Sequence, residues 1–309
     1  MSRIDEAMKR ASHGHHVGRA ATRTNDSSLR LAEEFTLNEY PLESRGAARA
    51  DVMTQEPRIA HEVRPVNVPP VNAPLHTENA PPCMLADLES QAKLVIGALR
   101  NVVSTEQYRR LAAALHDSQV EKGLKTVMIT SAVPREGKTL TVVNLGLTLS
   151  ESYGRRVLLI DADLRRPSIH EVLKVPNERG LSDVLGSSRG ELPLIQMSQR
   201  LWVLPAGRAE HSPLAGLSSG RMHTILEEVS SRFDWVLIDT PPVGLLSDAQ
   251  VLGRLVRAAV FVIRAGVTPF AAVEKAMADL GRDCIIGTAL NDVDPSALPT
   301  TTYYGHYYR

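Results

Sequence analysis

The sequence predicts an α/β fold: a mainly parallel sheet between layers of helix, preceded by a disordered, proline-rich N-terminal region. Three observations point there. From Gly123 onward, short apolar or β-branched runs alternate with helix-length segments, which requires crossover connections and hence parallel strands. The runs are apolar throughout rather than at every second position, as expected of strands covered on both faces. The first run leads into a loop ending Gly137-Lys138-Thr139, and a loop of that kind opening a helix is how such folds hold phosphate groups.

Each element has its own signal. Residues 126–130 are short and β-branched, and a helix pattern follows from Lys138 to about Glu151. Residues 156–160 form the second strand and 201–204 the third. A helix over about 221–231 leads into the fourth strand, 235–238. The next helix begins near Ser247, where Ser247 and Gln250 have capping-box spacing. Residues 259–263 are the fifth strand. Thr268 followed by Pro269 starts a helix that reaches about Leu280, and 285–290 is the sixth strand.

Upstream the character differs. Residues 84–118 read as a helical lead-in, with Leu85, Leu88, Ala92, Val95 and Leu99 at helical spacing. Residues 1–83 read as disordered, because seven prolines between Pro57 and Pro82 favour extended chain. Only 29–35 has the makings of a helical turn, and the His13, His15 and His16 cluster reads as incidental rather than metal-binding. The main domain is placed at 119–295 and a tyrosine-rich tail at 296–309.

Composition sets limits. The 309 residues are 43% hydrophobic, enough for a sizeable core, and 35 basic residues balance 35 acidic ones. That balance argues against nucleic acid as a partner, since nucleic acid calls for a basic face. Cys83 and Cys284 lie far apart, giving neither a disulfide framework nor a zinc pattern and suiting a reducing cytoplasm. No apolar run reaches the ~20 residues of a membrane span, and the polar N-terminus does not read as a secretory signal.

Three motifs fall at strand ends, where ligands of such sheets bind. The stretch 132–139, Ala-Val-Pro-Arg-Glu-Gly-Lys-Thr, is a Walker A pattern with Ala132 replacing the first glycine. Pro134, Arg135, Glu136 and Gly137 would line the phosphate cradle with backbone N–H groups, with Leu140 following in the helix. Lys138 would reach the β- and γ-phosphates of ATP, and the Thr139 hydroxyl would bind Mg²⁺. Asp161, Asp163 and Arg165 end the second strand, and Asp239 ends the fourth, followed by Thr240-Pro241-Pro242. Such carboxylates can hold Mg²⁺ or accept a hydroxyl proton. Each aspartate alone is equally well read as a solvated strand end; the three sites in this order make the joint case. Asn291 closes the last strand: in related folds an asparagine here reads the adenine ring, and on its own it reads equally as a turn after the strand.

The chain's end is the last feature. Of seven tyrosines, Tyr303, Tyr304, Tyr307 and Tyr308 crowd into the final seven residues, beside Gly305. Either they dock on a partner or they accept phosphate.

With these motifs the chain resembles the bacterial tyrosine kinases of capsule and exopolysaccharide synthesis, the BY-kinases, from about Thr105 to the C-terminus. Pro134, Glu136, Gly137, Lys138 and Thr139 match the family's Walker A form. Asp161, Asp163 and Arg165 match its Walker A′, 238–242 its Walker B, and the tail its tyrosine cluster. The resemblance implies an ATP-dependent autokinase whose subunits phosphorylate one another's tails. Asp161 and Asp163 would serve Mg²⁺ and the acceptor hydroxyl, Asp239 the metal's outer shell. It also implies self-association through Glu106 and Arg109, although Ala112 stands where the family's motif has a second arginine. A separate membrane-spanning partner, the polysaccharide co-polymerase and activator, would recruit the cytoplasmic chain to the inner face of the membrane. Rival readings are a MinD- or ParA-like ATPase switch and a nucleotide-binding scaffold of the export machine. The switch proteins carry an additional lysine where this chain has Val133, and they lack the tail.

Overall fold

The computed structural model describes residues 93–95, 102–187, 190–209 and 212–294. The readings of 1–83, of 84–92 and 96–101 in the helical lead-in, and of Tyr303, Tyr304, Tyr307 and Tyr308 lie outside the described residues; at 93–95 the lead-in makes a turn and bend rather than the expected helix.

Seven strands form one sheet in the order β3-β4-β2-β5-β1-β6-β7. They are β1 Thr126–Ser131, β2 Val157–Asp161, β3 Ile195–Gln196, β4 Leu201–Leu204, β5 Trp235–Asp239, β6 Ala259–Arg264 and β7 Ile285–Asn291. Every pairing is parallel except the one between β3 and β4. The six expected strands are present, and β3 is added at the edge. Its two residues are too few to carry a periodicity.

Eight α-helices are described. They are α1 Val102–Lys122, α2 Lys138–Glu151, α3 Ile169–Leu173, α4 Leu181–Leu185, α5 Leu214–Leu217, α6 Gly220–Arg232, α7 Ser247–Val256 and α8 Phe270–Leu280. Ser219 caps α6, its hydroxyl accepting from Met222 N–H at 3.3 Å, which supplies one of the donors left over at a helix start. The expected cap on α7 is absent: Leu246 stands at that position, with no side-chain hydrogen bond, and Ser247 is already helical. Cys284 lies in a 3₁₀ turn just before β7.

The apolar strands divide their residues between two cores. Met128, Leu158, Ile160, Val236, Ile238, Phe261 and Ile263 pack with residues of α6, α7 and α8. Val127, Ile129, Leu159, Leu237, Val260 and Val262 pack with α1, α2 and α3. Alternate side chains leave a strand on opposite faces, so a run apolar at every position is what a sheet with two covered faces demands. Among the described residues, no helix is long and apolar enough to cross a membrane.

Candidate functional site

The carboxyl ends of β1, β2 and β5 lie side by side in the middle of the sheet. From Ser131 the chain turns through 132–137 into α2. Arg135 and Gly137 take left-handed φ of 65° and 95°. That conformation suits glycine at 137, and a Cβ there would also press on the Asn291 side-chain amide. Asn291 Nδ2 donates to the Glu136 carbonyl at 2.8 Å, binding the end of β7 to the loop. Pro134 and Arg135 are exposed, and Leu140 packs part-buried against the α2-side core.

Behind the loop, Thr139 Oγ1 donates to Asp239 Oδ2 at 2.6 Å and lies 2.7 Å from Ser168 Oγ. Asp161 and Asp239 are register partners on β2 and β5, and both are buried. The backbone N–H groups of Ser168 and Ile169 each donate to Asp161 Oδ2 at 2.9 Å. Burial is the main force on both carboxyls. It pushes Asp239 up to about 7, against the pull of Lys138 and of the Thr139 hydrogen bond. It holds Asp161 well above the carboxylate range, helped by the Asp239 charge and opposed by the Ile169 and Ser168 N–H groups. Asp163 is also raised by burial, against the Arg166 N–H bond and Lys138, but it remains partly open to solvent.

Asp239 Oδ1 is buried without a hydrogen-bond partner among the described residues. Adjacent buried carboxyls held above their usual range, one with an orphaned oxygen, mark a site short of positive charge. A hard divalent cation with oxygen ligands fits that deficit.

The structure therefore brings Lys138, Thr139, Asp161, Asp163 and Asp239 together and sets Asn291 against the loop. Arg165 is turned to a partner the sequence did not announce. Its Nε donates to Asp248 Oδ2 at 2.6 Å and its Nη2 to Oδ1 at 3.3 Å, with Asp248 almost wholly buried. Ser168 and Thr268 were likewise not singled out as site residues. Their contacts span 29 and 132 residues of sequence, beyond the reach of a local motif. Glu106, half-buried, and Arg109, exposed, lie on α1 as a pair 3.6 Å apart, and Ala112 is buried in the core. Clefts of about 410 Å³ beside β3 and about 540 Å³ beside α1 lie apart from these groups, lined by Leu192–Ile195 and neighbours and by Arg109, Glu151, Ser152 and Tyr153. The carboxylates and the loop, not these clefts, define the candidate site.

Comparison with known proteins agrees with this geometry. A family model described as an AAA domain matches residues 125–272. Tyrosine-protein kinase YwqD of Bacillus subtilis is 35% identical over 207 residues, covering 66% of this chain and 87% of that protein. Tyrosine-protein kinase Wzc of Salmonella typhimurium is 32% identical over 212 residues, covering 66% of this chain but 29% of that longer protein. Among solved structures, the kinase domain of Escherichia coli tyrosine kinase ETK superposes with a TM-score of 0.59 at 31% identity, covering 72% of this chain and 84% of that one.

Proposed function

The chain belongs to the bacterial tyrosine-kinase family, whose members are ATP-dependent phosphotransferases, and on that premise we propose that it phosphorylates the C-terminal tail of another copy of itself. The acceptors are Tyr303, Tyr304, Tyr307 and Tyr308. The observation that carries the reading is the convergence of Thr139, Asp161 and Asp239 behind the loop, with Asp239 Oδ1 left unpartnered.

Each residue has a task that follows from its position. Backbone N–H groups of 134–139 cradle the phosphates of ATP, and the start of α2 adds partial positive charge. Lys138, already close enough to act on Asp163 and Asp239, supplies a charge for the γ-phosphate. Mg²⁺, held through Thr139, Asp161 and Asp239, would draw off charge from the phosphates. Among the described residues no cluster of three or more His, Cys, Asp or Glu is placed to hold a metal, and Mg²⁺ bound with a nucleotide asks the protein for only one or two carboxylates. Asp161 is fully buried behind the loop, whereas Asp163 retains solvent access, so Asp163 takes the acceptor's proton. In transfer, the bond from the γ-phosphorus to the bridging oxygen breaks and one to the phenol oxygen forms. ADP leaves, and the phenolic proton passes to Asp163. Arg165, aimed by Asp248, flanks the γ-phosphate, and Asn291 sits on the adenine side.

The family supports a proposed setting. The kinase regulates exopolysaccharide or capsule synthesis, or chain length, at the inner face of the membrane. A separate membrane-spanning co-polymerase recruits and activates it. Copies associate in a ring or smaller oligomer through the helix bearing Glu106 and Arg109.

The test uses the purified full chain, labelled ATP, Mg²⁺ and a cytoplasmic fragment of such a partner, with phosphosite mapping by mass spectrometry. Label should appear on the four tail tyrosines and vanish in Lys138→Met. Absence of tyrosine label in the wild type, or label confined to Tyr40, Tyr108 and Tyr153, rejects the reading.

A further inference from the structure

One buried carboxylate holds the phosphate loop from behind. Glu136 is 1% exposed. Its Oε2 accepts from Val133 N–H at 2.7 Å, and its Oε1 accepts from Arg264 N–H at 3.3 Å and from the Thr268 hydroxyl. Val133 belongs to the loop, Arg264 ends β6, and Thr268 lies just before α8, itself almost fully buried. The carboxylate thus closes the loop on itself and fastens it to the β6–α8 turn. The Glu136 carbonyl is fastened too, by Asn291.

The chemistry of this contact is specific. The Val133 and Arg264 N–H groups can only donate, one to each oxygen, so both oxygens must be acceptors. A glutamine at 136 has to aim its NH₂ at a donor whichever way the amide is turned. The loop needs such a tie, because Arg135 stands at φ 65°, a region that side chains other than glycine seldom adopt unless their surroundings impose it. A cradle of N–H groups binds phosphate only in one shape, and each alternative shape it samples subtracts from affinity.

We infer that the side chains of Glu136 and Thr268 are a positioning pair that holds the phosphate loop in its binding shape before nucleotide arrives, without themselves touching the nucleotide. The inference rests on reading 132–139 as the nucleotide site. It assigns Glu136 a role different from that of the loop residues on either side of it, and it gives Thr268 a role that its place as a helix-start signal did not suggest.

Two readouts test it on the full-length chain: hydrogen exchange over 132–137 without nucleotide, and affinity for a fluorescent ADP analogue. The proteins are the wild type, Thr268→Val, Thr268→Ser and Glu136→Gln. Thr268→Val should exchange faster over 132–137 and bind the analogue roughly tenfold more weakly, the scale of one hydrogen bond to a charged group. Thr268→Ser, which keeps the hydroxyl, should restore both. Glu136→Gln should also bind more weakly, by roughly tenfold or more, since its NH₂ faces a backbone N–H in either orientation. In turnover, the effect of Thr268→Val should fall on KM for ATP far more than on kcat. Exchange and affinity like the wild type's in both Thr268→Val and Glu136→Gln overturn the inference, and so does Thr268→Ser behaving like Thr268→Val. If Thr268→Val does not fold, Glu136→Gln against the wild type decides on the same readouts. A wild type that binds no ADP analogue rejects the nucleotide site itself, and the exchange data then decide the loop's restraint alone.

Discussion

A carboxyl buried at the end of β5 keeps its proton up to a pH of about 7, whereas in the unfolded chain it would release it near pH ~4. Between those values the folded state binds more protons than the unfolded state, so this group's contribution to stability falls as pH rises through the interval and stays low above it. Asp161 is shifted the same way for the same main reason, burial. Asp239→Asn removes one of these groups without changing its shape. The variant's melting temperature, in buffer free of Mg²⁺ and nucleotide, should therefore gain on the wild type's as pH rises from about 5 to about 8. Scanning calorimetry across that range measures the gap; a constant gap, or one that moves the other way, contradicts the burial argument. Lys138, Thr139, Asp161, Asp163 and Asp239 were legible in sequence because each sits at a fixed offset from an apolar strand. Ser168, Asp248 and Thr268 were not, because their meaning lies in partners that folding brings from elsewhere in the chain.

Helix α2 shows how much one element can organise. It is buried along most of its length, including Val142, Val143, Leu145, Leu147 and Leu149, and its first turn carries Lys138 and Thr139. On its outer side Asn144 clamps the segment before α1. Its Oδ1 accepts from Val95 N–H at 3.0 Å, and its Nδ2 donates to the Lys93 carbonyl at 3.1 Å. Leu94, between them, is 1% exposed. Asn144→Ala removes both bonds and should cost about 1–3 kcal/mol in urea denaturation. Limited proteolysis should then cut near 93–95 sooner than in the wild type. Equal cleavage rates would mean that Leu94 alone holds the segment. The helix itself was readable from its pattern and from the Gly-Lys-Thr start, but the amide clamp was not. The α7 start went the other way: Ser247 and Gln250 had the right spacing, yet the chain enters the helix one residue earlier and buries Asp248 against Arg165. A spacing rule counts residues and does not see a buried ion pair.

At the scale of the whole molecule, the proposed reaction changes the charge of an assembly. Each phosphotyrosine adds about −1.5 to −2 charge, so four on one tail add roughly −6 to −8. Copies that gather to exchange tails should repel one another once modified. Light scattering at matched concentration should show a lower mass for the phosphorylated chain than for the unmodified one, and the difference should shrink with added salt. Equal masses would separate tail chemistry from assembly. Sequence alone determined the alternation of strands and helices, the two covered faces of the sheet and the residues at the ends of β1, β2 and β5. These are written locally, in periodicity and in short spacings. Tertiary structure decided the strand order, the short antiparallel edge strand, the turning of Arg165 toward Asp248 and the restraint of the loop by Glu136 and Thr268. Those depend on which distant groups share a buried volume, where an unpaired donor, acceptor or charge is too costly to leave alone.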